Sequence, residues 1–66
     1  MRLTINGKEE ELAEGLTIAR LIADKGVNPA GILVEHNYAI VTSEAWESAV
    51  LRENDNLEIL RLVGGG

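Results

Sequence analysis

Residues 15–27 read GLTIARLIADKGV, and this stretch decides the fold. Before it, apolar residues recur at every second position. Within it, Ile18, Leu21 and Ile22 share one stripe while Arg20, Asp24 and Lys25 lie largely off it, a period of 3.6 that predicts a short amphipathic helix. The ends are marked too. Thr17 supplies an N-capping hydroxyl, and Leu16 before it can staple onto Leu21. Lys25 suits the negative end of the helix dipole, and Gly26 can take the left-handed position that closes a helix.

Upstream, MRLTIN alternates, with Met1, Leu3 and Ile5 on one face and Arg2, Thr4 and Asn6 on the other. It runs into Asn6-Gly7, the strongest short-range hairpin signal. KEEELAE then returns as a second strand, with Leu12 inward and Glu9 and Glu11 on the wet face, where charge also discourages edge pairing. Downstream, NPAG is a turn, since Pro29 cannot continue a helix and Gly31 permits a reversal. ILVEHN and AIV read as two short strands around a tight corner at His36, Asn37 and Tyr38. TSEAWESAVL could place Ala45, Trp46, Ala49 and Val50 on one helical face but is short, so it is expected to be irregular with one helical turn. After a turn at ENDN, LEILRL alternates as the last strand, Leu57 and Ile59 on one face and Glu58, Leu60 and Leu62 on the other.

The order strand, strand, helix, strand, short strand, strand predicts an α+β domain, a mixed sheet of four to five strands with one helix packed across a face. The expected core is Leu3, Ile5, Leu12, Ile18, Leu21, Ile22, Ile32, Val34, Leu57 and Ile59. The expected division is a domain over residues 1–63 and a flexible glycine tail over 64–66.

Composition narrows the function. A 66-residue chain is at most one domain, and a domain near this size buries only about 60% of the surface its unfolded chain exposes. It has no cysteine, which removes disulfides, thiolate metal sites and thiol nucleophiles. Its apolar runs (ILV, AIV, AVL) are too short for a membrane span or a signal-peptide core, so a soluble, cytoplasmic protein is expected. Eleven acidic residues against six basic ones give a net charge of −5, which argues against nucleic acid as a partner. Acidic surfaces favour basic partners, or serve only to keep a small protein soluble.

Individual side chains offer little catalysis. His36 is the only histidine and has no clustered Cys or Asp, so it reads as an ordinary turn residue with no metal or catalytic role. Thr42 and Ser43 lack a visible base. Trp46 reads as a satellite core residue, with a partner anchor as the alternative. Glu9 to Glu11 read as a solvated face.

There remains RLVGGG, residues 61–66. Glycine loses the most conformational entropy on ordering and adds nothing to a core, so the tail is either idle or used. Three extended glycines reach roughly 10 Å, and residues without Cβ can enter a narrow slot. By parity Leu60 and Leu62 lie off the core face and would form a docking patch beside the tail, unless a loop or SEAWES covers them.

The element order on so short a chain, ending in a diglycine, resembles the β-grasp fold of ubiquitin-like proteins, and more closely the ThiS family of sulfur carriers in thiazole (thiamine) biosynthesis. The resemblance runs along the whole chain: a short strand into NG, then GLTIARLI, then LVEHN followed by IV and Trp46, then DNLEILRLVGGG. The VExN corner (Val34, Glu35, Asn37) and the D-x-apolar-E-I strand (Asp55, Leu57, Glu58, Ile59) entering VGGG favour ThiS over ubiquitin itself. Gly64 departs from the pattern, because the diglycine maps onto Gly65 and Gly66. The resemblance implies a carrier that catalyses nothing. Its Gly66 carboxylate would be adenylated by an E1-like, ThiF-type enzyme using ATP and converted to a thiocarboxylate with sulfur from a persulfide protein. The sulfur would then be delivered on a ThiG-type thiazole synthase. Gly64 and Gly65 would enter the partner's slot, and the carrier would bind no cofactor or metal of its own. A small-subunit carrier of molybdopterin synthase, a ubiquitin-like modifier and a plain interaction domain with an inert tail remain as alternatives.

Overall fold

The computed structural model describes residues 1–62. Five strands form one sheet: β1 (Arg2–Ile5), β2 (Lys8–Glu11), β3 (Ile32–His36), β4 (Ala39–Val41) and β5 (Asn56–Arg61). Their spatial order is β2-β1-β5-β3-β4, and the one α-helix among the described residues, α1 (Ile18–Lys25), supplies Ile18, Leu21 and Ile22 to the core. The expected α+β β-grasp architecture is therefore present. The sheet is mixed because β1 and β5 run parallel, Thr4 opposite Asn56 and Ile5 opposite Leu57, whereas every other pair is antiparallel.

Local chemistry explains the elements. Asn6 and Gly7 both adopt positive φ, 52° and 79°, as a two-residue hairpin requires, and Ile5 then faces Lys8 across the ladder. The Thr17 hydroxyl accepts the Arg20 N–H at 3.2 Å, which relieves one of the donors left open at the start of α1. At the other end Gly26 sits at φ 69°, its N–H donating to the Ala23 carbonyl while Val27 N–H reaches the Ile22 carbonyl. That pair of bonds is a Schellman closure. Glu10, on the helix side of the edge strand β2, meets Lys25 at 3.0 Å.

The core is Leu3, Ile5, Ile18, Leu21, Ile22, Ile32, Val34, Trp46, Leu51 and Leu57, with Leu12 and Ile59 only partly buried against it. Trp46 belongs to this core rather than to a satellite, and its indole N–H donates to the Val41 carbonyl at 2.9 Å. Leu51 was not expected there. It is drawn in because its N–H donates to the Leu16 carbonyl while Thr17 bridges Val50, which lays the last connection against the start of α1. The TSEAWESAVL segment contains one short 3-10 turn, Ser43–Ala45, as the ambiguous periodicity suggested. A second 3-10 turn, Pro29–Gly31, replaces the expected simple reversal, and Gly31 does not take positive φ.

Along β5 the alternation has energetic weight. Leu57 is fully buried (0% exposed), while Leu60 is 43% exposed. Leu57→Asp would bury an unpaired carboxylate at a cost of several kcal/mol against a reserve on the order of 5 kcal/mol. We expect it to abolish the cooperative melting transition followed by circular dichroism. Leu60→Asp should keep the transition within about 5 °C of the parent, and melting of both variants would mean that the strand faces are reversed.

Candidate functional site

The last described residues carry the candidate site. β5 is a central strand, hydrogen-bonded to β1 on one side and β3 on the other, and Leu62 N–H still donates to the Gly31 carbonyl at 2.8 Å just past its end. The base of the tail is thus held by backbone bonds up to Leu62. Leu62 is 56% exposed, and with Leu60 it leaves an apolar surface where the chain departs, so SEAWES does not cover the pair. Gly64, Gly65 and Gly66, the tail positions singled out in the sequence, lie outside the described residues, as does the proposed boundary at 63.

Two surfaces flank this point. On the helix side an open groove of about 490 Å³ separates the C-terminal end of α1 from the end of β5, lined in part by Lys25, Val27, Ile32, Arg61 and Leu62. On the opposite side the sheet faces outward. There the ladder places Leu33 opposite Leu60 and Glu35 opposite Glu58, with Ile40 of β4 beyond Glu35. Ile40 and Leu60 are both exposed.

A polar cluster occupies the other end of β5. Asp55, only 8% exposed, receives the Arg52 N–H at 2.9 Å and the Asn37 amide at 3.1 Å, and its third and nearest partner is His36 Nε2 at 2.6 Å. A carboxylate only accepts, so the imidazole nitrogen facing it donates. Asn37 completes the knot by accepting the Asn56 N–H at 2.8 Å. These bonds hold the β3–β4 hairpin, whose two turn residues Asn37 and Tyr38 both sit at positive φ without being glycine. His36 is therefore the last residue of β3 and a structural partner of Asp55, not a lone turn residue. Sequence reading passed over Asp55 as part of a turn, because nothing in ENDN announces partners fifteen or more residues away.

Burial works against ionisation of Asp55, but the bonds from His36, Asn37 and the Arg52 backbone, with the charge of His36, outweigh it and hold the carboxyl below its ordinary value. Among the described residues no group of three metal-ligating side chains occurs. No helix of the described chain is long and apolar enough to cross a membrane. Among the described residues the site offers a held strand end and two surfaces around it.

The ThiS family model matches residues 2–66. Among solved structures, the crystal structure of the thiamine biosynthesis protein ThiS from Geobacter metallireducens superposes with a TM-score of 0.89 at 32% identity, covering all of both chains. A solution structure of a thiamine biosynthesis protein from the same organism gives 0.81 at 33% identity, covering all of this chain and 88% of the other. A thiazole synthase of Paramagnetospirillum magneticum is 33% identical over 66 residues. A second, from Magnetococcus marinus, is 32% identical over 66 residues. The chain spans 20% of the length of each of these two synthases.

Asp55 makes the stability of the domain fall in acid. Its folded-state pKa is depressed, so its contribution is present above the unfolded carboxylate value of about 3.9 and is lost as pH falls through the lower folded value. Urea unfolding should therefore show stability declining as pH is lowered through and below about 4. Asp55→Ala should cost about 1–3 kcal/mol at neutral pH by stranding the Arg52, Asn37 and His36 donors, and should flatten that decline. An unchanged acid slope in Asp55→Ala would assign the decline to other carboxylates.

Proposed function

Because the chain belongs to the ThiS family, we propose that it is a sulfur carrier for thiamine thiazole biosynthesis, acting as a protein co-substrate rather than an enzyme. The observation that carries the reading is the family match through residue 66, which includes the VGGG tail. The thiamine biosynthesis proteins of matching fold support thiazole as the acceptor. The resemblance to part of two thiazole synthases supports a ThiG-type synthase as the partner that receives the sulfur.

The chemistry begins at the Gly66 carboxylate, a poor electrophile. Its oxygen attacks the α-phosphate of ATP in a ThiF-type enzyme, pyrophosphate leaves, and an acyl adenylate forms. The terminal sulfur of a persulfide protein attacks the acyl carbon and AMP leaves. Thiol attack on the resulting acyl disulfide leaves a thiocarboxylate on Gly66 and a disulfide on the donor side. ATP is consumed by the activating enzyme, and the carrier retains no cofactor. The carrier supplies reach and position: Leu60 and Leu62 dock beside the entrance, while Gly64 and Gly65 pass through it without side chains to obstruct them.

Position is the sensitive variable. Deleting Gly66 withdraws the terminus by about 3.5 Å, and an added residue moves it past the nucleotide, where misplacement by even about 1 Å can cost on the order of 100-fold. We expect either change to abolish ATP–pyrophosphate exchange with the purified activating enzyme while leaving the melting curve unchanged. Deleting Gly64 keeps the Gly65-Gly66 end and should only slow exchange. Full exchange by the extended variant would sink the carrier reading.

A further inference from the structure

Five asparagines occur in the chain, and Asn6 alone is followed by glycine. Pro29 follows Asn28, and Tyr38, Asp55 and Leu57 follow the other three. The difference is chemical. A backbone nitrogen can attack the carboxamide carbon of the asparagine before it, and a glycine nitrogen is the least shielded because no Cβ stands beside it. Proline has no N–H to give up. Asn6 and Gly7 are both exposed, and nothing lies within 4 Å of where a Gly7 Cβ would stand.

The fold also uses this side chain. The paired residues of β1 and β5 end at Ile5 and Leu57. Asn6 carries the junction further: its N–H donates to the Leu57 carbonyl at 2.9 Å, and its Oδ1 accepts the Ile59 N–H at 2.7 Å. A side-chain oxygen thus serves β5 where β1 has run out of backbone. That oxygen sits on the same carbon that the Gly7 nitrogen would attack, so the bond to Ile59 restrains the reacting group.

We propose that Asn6 is a deamidation site whose reaction is gated by release of its carboxamide from Ile59. Once released, the side-chain carbon of Asn6 is attacked by the Gly7 nitrogen, which gives its proton to solvent as the new C–N bond forms. The carboxamide C–N bond breaks, and ammonia leaves with a proton taken from solvent, closing a succinimide ring. Water then opens the ring at either carbonyl, which leaves aspartate or isoaspartate at position 6 with no oxidant or reductant involved.

The two products differ in what they keep. Aspartate retains an oxygen for the Ile59 N–H. Isoaspartate routes the backbone through the side-chain carbon and adds a methylene to a two-residue turn, which spoils the register that sets Ile5 opposite Lys8. It also moves the acceptor away from Ile59, so β5 loses a bond on the segment that leads to Leu62. This inference stands apart from the carrier reading.

The experiment is incubation of the full chain at mildly alkaline pH, native and in denaturing urea, with isoaspartate assayed by enzymatic methylation and located by peptide mass mapping. In urea, isoaspartate should accumulate at position 6 faster than at the other four asparagines. In the native chain it should form at least about tenfold more slowly than in urea. The isoaspartate form, separated by chromatography, should melt more than about 5 °C below the parent, whereas Asn6→Asp should stay within that margin. No preference for position 6 in urea would overturn the site, and equal rates in the two conditions would overturn the gate. An isoaspartate form that melts with the parent, or an Asn6→Asp variant that melts as low as the isoaspartate form, would overturn the coupling through the turn to β5.

Discussion

The rest of the structure depends on the parallel pairing of β1 with β5. Thr4 N–H donates to the Asp55 carbonyl and Asn6 N–H to the Leu57 carbonyl, both at 2.9 Å, so the first strand is bonded to the last. Parallel neighbours cannot be joined by a tight turn, and everything between them must serve as a crossover. Here that crossover contains α1, β3 and β4. It delivers a helix to one face and leaves the other open, and it makes β5, the strand that leads to the tail, the middle of the sheet.

That placement assigns different work to the two faces of one strand. Toward α1, Leu57 is sealed in a core that includes Trp46 and Leu51, which a chain without cysteine needs in order to hold a unique shape at this size. Away from α1, Glu58 and Leu60 meet Glu35 and Leu33 in the open. Each substitution on β5 is therefore read by its parity. The rule stops where β5 stops: Arg61 lines the helix-side groove and Leu60 looks the other way, but Leu62, one residue past the strand, lines the groove beside Arg61.

What was legible in the sequence was what nearest neighbours decide. Asn6-Gly7 makes its hairpin, Thr17 and Gly26 bound α1, and the alternation of LEILRL separates Leu57 from Leu60, because each depends on residues a few positions apart. The same alternation puts Leu60 off the core, while Leu62, past the end of β5, is exposed but borders the helix-side groove. Leu51 and Asp55 were not legible as buried groups. The burial of Leu51 depends on a backbone bond to Leu16, and that of Asp55 on side chains from β3, and no local pattern reports either. The Glu35–Glu58 juxtaposition needed the register itself, since the two acids look unremarkable when read along the chain. The reading of the glycine tail rests on resemblance alone, since those residues lie outside the described part of the chain.

The central position of β5 also sets an order of events when the chain is made. β1 and β2 can close their hairpin early, and α1 can form as soon as its caps exist, but neither β1 nor β3 gains its central neighbour until synthesis has reached Asn56–Arg61. Such pairing between distant segments is slow to form and comes late. The strand that completes the sheet is also the one that leads directly into the glycines, so the tail leaves the ribosome only after the segment that finishes its own support. A chain stopped short of β5 would lack the middle of its sheet, so completion of the fold rests on the same few residues that lead to the tail.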